Sequence, residues 1–532
     1  MPTKRRSLRA RVPLIAALAL LALALFAPQA LARYVYTGNY DDESVSVVDT
    51  ATNQIVGSPI PIGGQVYAMA ISPDGKTLYV GVDTSGDLTV IDTQTNQVTG
   101  TIPLGVSEST TIAISPDGKK AYVTSYGSEA LVTVDLQAKQ VVGTPLETDG
   151  HPWGIAFSPD GSIALLANEE KDSLSVIDTT TNQVVGNPIA VGESPINIVF
   201  SADGKTAYTT NQNSDSVSVV DVGARQAVAS IKVGDNPWGL GLTPDGKKLY
   251  VSNLGVDTVS VIDTATRQVV GDPIPTGDEP YELAATPDGK SVYVTNYRGE
   301  FEGDGRGVTV IDTATNQTKD VDVTGGPWQL AIVPDQSPTA SFTAKASKKN
   351  SLSIAFSATA TDPDGTVAAF DWSFGDNVLA LNGGPTLTHK YAKAGTYTVG
   401  LTAVDNEGCS GLLFTGRVAF CNGPGPATQS LVVKAPNNFK FGKLVRNKKK
   451  GTAKLKVKVP YAGKLTLAGK KVKKVKRSAK KAGTVTLDIR PKPKAEKALA
   501  EDGSVKVRVK VTFKPTGGKA RSKGRTVRLI QN

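Results

Sequence analysis

Few residues in this 532-residue chain belong to the types that most often do chemistry. There are two histidines, His151 and His389, and two cysteines, Cys409 and Cys421. Zinc and haem sites built from His/Cys clusters are therefore excluded, and a Ser-His-Asp triad has only those two histidines to draw on. The cysteines lie twelve positions apart. In an oxidising compartment they can close a disulfide, and two buried thiols are the alternative. Such a short ring would stabilise the fold by roughly 3 kcal/mol. Asp362, Asp364 and Asp371 place three hard oxygen donors close in sequence, the kind that suits Ca²⁺. Their spacing fails the EF-hand pattern, and Asp362-Pro363-Asp364-Gly365 reads more simply as a turn. No metal or cofactor is expected. Trp153, Trp238, Tyr281 and Trp328 each follow a proline. A ring of such aromatics could hold a sugar or a peptide segment. Packing against neighbouring repeats is the preferred reading, because Ile196 stands at the matching place in another copy.

These residues sit in a repeat. Pro-Asp-Gly recurs at positions 73–75, 116–118, 159–161, 244–246 and 287–289, with variants at 202–204 and 334–336. A second marker, Val-x-Val-x-Asp and its near variants, ends at Asp49, Asp92, Asp135, Asp178, Asp221, Asp263 and Asp312. Successive gaps are 43, 43, 43, 43, 42 and 49 residues. Each copy reads as four short strands, with Pro-Asp-Gly as a tight turn between the first two. Four antiparallel strands per repeat of this length is a propeller blade. The chain enters at a second strand, Tyr34-Val35-Tyr36, and leaves at a first strand, Gln329 to Val333. This phase predicts seven blades, with the last strand completing the sheet that the first began. The repeated Asp residues are read as turn formers. His151 is read as a surface-loop residue, since other copies have Asn236, Glu279 and Gly326 there.

Tyr293-Val294-Thr295-Asn296, with near copies at Tyr250, Tyr122 and Tyr208, resembles the YVTN-family propeller repeats. That resemblance implies the fold over residues 33–336 and little about function, since such propellers occur in surface-layer and other secreted proteins. In residues 337–434, Trp372-Ser373-Phe374-Gly375-Asp376 and Gly395-Thr396-Tyr397-Thr398-Val399 are similar to PKD domains. This implies an immunoglobulin-like β-sandwich acting as a spacer or adhesion module, with Trp372 and Tyr391 in its core. His389 then needs no chemical role.

Charge divides the chain further. Residues 1–32 carry a net +5, residues 33–336 a net −23, residues 337–434 a net +1 and residues 435–532 a net +27. The first segment has the form of a secretory signal peptide: a basic start, an apolar run from Val12 to Phe26, then Ala30-Leu31-Ala32. No second apolar run is long enough to span a membrane. The last segment alternates Lys454, Lys456 and Lys458 with Leu455, Val457 and Val459, which predicts half-buried strands of a small basic β domain. Lys448, Lys449 and Lys450, and Lys471, Lys473, Lys474, Lys476 and Arg477 within a presumed loop from 470 to 481, are the candidate polyanion contacts.

The expected architecture is all-β: signal peptide, seven-bladed propeller, immunoglobulin-like sandwich and basic β domain. The expected function is non-enzymatic, a secreted or cell-surface binding protein whose propeller presents a face to an extracellular protein or glycan. Its basic domain would hold it to cell-envelope polyanions, with the acidic propeller as a competing counter-charge. Nucleic acid is disfavoured by secretion and the scarcity of aromatics in the tail. The chain is read as a monomer without a transmembrane segment after cleavage. The alternative is an extracellular propeller enzyme, lactonase-like or carbohydrate-acting.

Overall fold

The computed structural model describes residues 33–297, 307–347, 351–416 and 418–532; the expected signal peptide lies outside them. One compact unit comprises the chain up to Thr339 with Thr361–Ala368 and Val404–Gly425, and a second comprises Ala340–Ala360, Ala369–Ala403 and Pro426–Asn532.

The first unit is a seven-bladed propeller. Inner strands Val66–Ile71, Ser109–Ile114, Pro152–Phe157, Pro195–Phe200, Pro237–Leu242, Pro280–Ala285 and Pro327–Ile332 touch one another in a closed ring. Each begins an antiparallel sheet of four or five strands. The ring closes as the phase of the repeat predicts. Tyr34–Asn39 pairs antiparallel with Pro327–Ile332 on one side and with Ser44–Asp49 on the other.

The repeat motifs have local physical causes. In the turn after an inner strand, Ser158 donates its hydroxyl to Asp160 at 2.6 Å, and the Ser162 amide donates to the same carboxylate at 3.0 Å. Gly161 supplies the left-handed φ of +71° that closes the turn. The hydroxyl–carboxylate bond recurs at Ser72, Ser115, Ser201, Thr243 and Thr286. The second Asp marker accepts amide hydrogens from the turn that follows it, as Asp178 does from Thr180 and Thr181. These bonds hold Asp160 and Asp178 below the ordinary carboxylate range. The asparagine of Tyr-Val-Thr-Asn staples the second strand to the third. Asn211 donates to Ser216 and Ser218, both at 3.0 Å, and Asn39 and Asn253 repeat the pattern. The tyrosine locks blades together: Tyr36 donates to Asn96 and Tyr122 to Asn182, each at 2.7 Å.

In the second unit, Trp372 and Tyr391 are buried in a sandwich core with Phe356, Phe374, Val399 and Leu401. His389 lies beside Asp376 at 2.9 Å. Residues 440–530 form two sheets whose buried Leu455, Val457 and Val459 alternate with exposed Lys454, Lys456 and Lys458. The presumed loop at 470–481 is instead largely a strand, Val472–Ala479, at the edge of its sheet. Lysine on an edge strand opposes pairing with another chain. A helix, Pro493–Asp502, with proline in its first turn and Gly503 at φ +63°, was not expected. Among the described residues no helix is long and apolar enough to cross a membrane.

Asn211 is fully buried and its oxygen also accepts the Gly192 amide. Replacing it with Ala should leave the fold intact and lower unfolding stability by about 1–3 kcal/mol. An unchanged urea midpoint would remove the staple from the account of the repeat.

Candidate functional site

Each inner strand presents its second residue at one end of the channel. In blade order these are Tyr67, Thr110, Trp153, Ile196, Trp238, Tyr281 and Trp328. The loops after the second strands add Tyr40, Tyr126 and Tyr297. Backbone bonds hold the two sets of loops together, as Tyr126 N to Glu108 O at 2.9 Å and Tyr297 N to Glu279 O at 3.1 Å. The rings form a continuous chain of contacts. Tyr281 stacks on Trp328 at 4.0 Å, and Tyr40 stacks on the same indole at 5.5 Å. Trp328 also meets Tyr67 at 5.7 Å and Tyr297 at 5.1 Å. Trp238 reaches Tyr281 at 5.0 Å and Trp153 at 5.2 Å, past the smaller, buried Ile196. Trp238 is buried; the other rings are half-buried.

All four aromatics singled out from the sequence therefore come together at one mouth. Four more rings were missed. Tyr67 lacks the preceding proline that marked the set. Tyr40, Tyr126 and Tyr297 directly follow Asn39, Ser125 and Asn296 at the end of a second strand, a position the repeat alignment exposes.

One residue deeper, the inner strands carry Ala68, Thr111, Gly154, Asn197, Gly239, Glu282 and Gln329. Asn197, Glu282 and Gln329 are buried. The Asn197 amide donates to Glu282 Oε2 at 3.2 Å, and the Leu283 amide lies 3.3 Å from Oε1. This bridge passes the intervening strand at Gly239, where a Cβ would stand 2.5 Å from the Tyr281 carbonyl oxygen. Glu282 also lines a cavity of about 30 Å³ with Met69, Ile112, Leu240, Leu330 and Val418. That volume admits water beside the carboxylate.

Val418 belongs to a plug. Cys409 and Cys421 form a disulfide with Cα atoms 5.5 Å apart. Their loop enters the end of the channel opposite the aromatics. Phe157 N donates to Gly416 O at 3.0 Å and Phe200 N to Thr415 O at 2.9 Å. Phe414 and Phe420 are buried among blade residues. Gly416 has φ +101°, and a Cβ there would lie 2.9 Å from the Phe157 carbonyl oxygen. The channel thus has a floor and a single mouth.

A separate carboxylate cluster lies in the same unit. Asp335 pairs with Arg33 at 2.6 Å, and Glu407 pairs with the other end of that guanidinium. Burial pushes Asp335 up to about 7 and Asp364 to about 6, with Arg33 opposing. Asp362, Asp364 and Asp405 keep buried oxygens without a hydrogen-bond partner. Carboxylate oxygens suit a hard divalent cation, but the group whose possible ligand atoms converge is Asp335, Asp405 and Cys409, with Arg33 already on Asp335. Asp371 is not among them: its carboxylate accepts the Asn382 amide in the sandwich. Cys409, beside Asp335 and Asp405, is no thiolate ligand, being disulfide-bonded.

The basic candidates divide between two sheets. Lys448, Lys449 and Lys450 occupy a turn, whereas Lys473, Lys474, Lys476 and Arg477 lie on the edge strand that Lys471 precedes. Lys473 pairs with Glu496 at 3.5 Å and Arg477 with Asp488 at 3.4 Å.

If the disulfide fixes the plug, replacing both cysteines with Ser should lower unfolding stability by roughly 3 kcal/mol. A urea midpoint equal to that of the parent, or free thiols at both positions by non-reducing mass spectrometry, would contradict this role.

Residues 58–301 match a family model described as lactonase, 7-bladed beta-propeller, and residues 335–415 match the PKD domain model. A microbial collagenase of Vibrio alginolyticus is 38% identical over 82 residues, which are 15% of this chain and 10% of that protein. Similar solved structures include hydrazine synthase of Kuenenia stuttgartiensis (27% identity, TM-score 0.45, covering 51% of this chain and 90% of that one). Others are a periplasmic gluconolactonase of Pseudomonas aeruginosa (20%, 0.48, 57% and 99%) and a putative 6-phosphogluconolactonase of Bacteroides uniformis (18%, 0.49, 57% and 99%). The lactonase match overturns the expectation of a non-enzymatic binding protein. That expectation leaned on the scarcity of His and Cys. Opening a lactone requires neither, because a positioned carboxylate can activate water and amides can polarise a carbonyl. Residues 58–301 thus lie within a seven-bladed β-propeller that is similar to the lactonase model, and residues 335–415 are a PKD domain.

Proposed function

We propose that the propeller hydrolyses a sugar lactone at its aromatic mouth. The match of residues 58–301 to the lactonase model carries this reading, and the placement of Glu282 beneath the rings supports it. A lactone ring stacks its apolar face on the indole and phenol rings around Trp328. Glu282, oriented by Asn197, takes a proton from water, and the water oxygen bonds to the lactone carbonyl carbon. Gln329, at the same depth, offers an amide to the developing oxyanion. Collapse breaks the ring ester bond, and the proton held by Glu282 passes to the departing alkoxide. The product is the open hydroxy acid.

The substrate would be met outside the cell. The signal-like segment 1–32 and the collagenase-like PKD domain support export. The basic sheets, with 31 Lys and Arg against four acids in residues 435–532, suit a cell-envelope polyanion as partner.

Purified protein should open D-glucono-1,5-lactone faster than its spontaneous hydrolysis, and Glu282→Gln should lower kcat by about 10²–10⁴. No rate above background, or an undiminished E282Q, would reject the proposal. Retention on an immobilised polyphosphate should be lost by about 1 M salt, where screening acts within about 3 Å. Retention in molar salt would rule out an electrostatic partner.

A further inference from the structure

The propeller's negative charge is segregated. At the aromatic face, the described loops that precede the inner strands and follow the second strands carry seventeen carboxylates and one lysine, Lys171. At the opposite face, the loops joining first to second and third to fourth strands carry six carboxylates and eight Lys or Arg. The asymmetry comes from the repeat. Asp117, Asp203, Asp245 and Asp288 pair with the lysine two positions on at 2.9–3.2 Å, and Asp160 closes on Ser162, whereas the lysines at the mouth are Lys171, paired with Asp149 at 3.8 Å, and Lys232 at a strand end, paired with Asp215 at 2.9 Å.

Around Tyr126 the rim becomes a defined subsite. His151 stacks on Tyr126 at 4.0 Å, and Trp153 meets the same phenol edge-on at 5.4 Å. His151 lies 3.6 Å from Glu129 and 3.3 Å from Glu170. Glu169 is half-buried beside them and has a carboxylate oxygen with no hydrogen-bond partner. Aromatic faces ringed by carboxylates attract an ammonium group through both the ring quadrupole and charge, and repel phosphate or carboxylate.

We propose that the mouth selects ring substrates bearing an amine and turns away phosphorylated or carboxylated ones; this rests on the lactonase reading for the reaction, but not for the binding preference. A rim of this charge would slow the arrival of an anionic lactone and concentrate a cationic one before either reaches Glu282.

Two measurements separate the claims. In turnover, kcat/KM for the lactone of 2-amino-2-deoxygluconic acid should exceed that for 6-phosphogluconolactone by about tenfold or more at low ionic strength. The ratio should shrink towards unity in about 1 M NaCl. In binding, calorimetry with D-glucosamine and D-glucose 6-phosphate should show the same order. The triple change Glu129→Gln, Glu169→Gln and Glu170→Gln should reduce the preference in both. Cation-preferring binding without any lactone turnover would sink the hydrolase reading and leave this one. Preferred turnover of the phosphorylated lactone would do the reverse. A binding preference that is equal, reversed, absent or unmoved by salt overturns the proposal.

Discussion

The site depends on one antiparallel pairing, between Tyr34–Asn39 and Pro327–Ile332. The two strands lie nearly three hundred residues apart in sequence, and their hydrogen bonds turn a row of blades into a ring. Trp328 sits on the closing strand, and Tyr40 directly follows its partner strand. Trp328 touches Tyr40, Tyr67, Tyr281 and Tyr297. The mouth is therefore assembled at the seam, and no local segment could build it. The cost of ordering so distant a contact is met by burial along the whole ring.

The closed ring also explains how one carboxylate could serve. Glu282 is buried beside apolar side chains, below the rings of the mouth and above a plugged floor. In such surroundings charge–dipole interactions are stronger than in water. Asn197 reaches it from two blades away because glycine occupies the strand between.

Much of this was legible in the residues. The fixed spacing of Pro-Asp-Gly and Val-x-Val-x-Asp named the blades, and their phase named the seam. Trp153, Trp238, Tyr281 and Trp328 were visible because a proline marked each. Tyr40, Tyr126 and Tyr297 were not, because the same loop position holds Asp83, Glu169, Gln212 and Leu254 in other blades. Glu282 escaped notice for a related reason: a catalytic candidate inside a repeat looks like ordinary variation until the ring places Asn197 and Gln329 at its depth. The strand Val472–Ala479 is hard to read from sequence because most of its residues are exposed, so no apolar alternation marks it. Scarce histidine and cysteine say nothing about carboxylate chemistry, so they do not argue against a hydrolase.

The floor of the channel is supplied by residues translated some eighty positions after the ring is complete. A ribosome, or an export machine, would therefore release an intact ring that is still an open tube. Only when Phe414, Thr415, Gly416 and Phe420 seat against the blades does the tube become a cup. The disulfide that braces this floor needs an oxidant, so a chain made in a reducing compartment would carry every residue of the site with its base held by hydrogen bonds and buried aromatics alone.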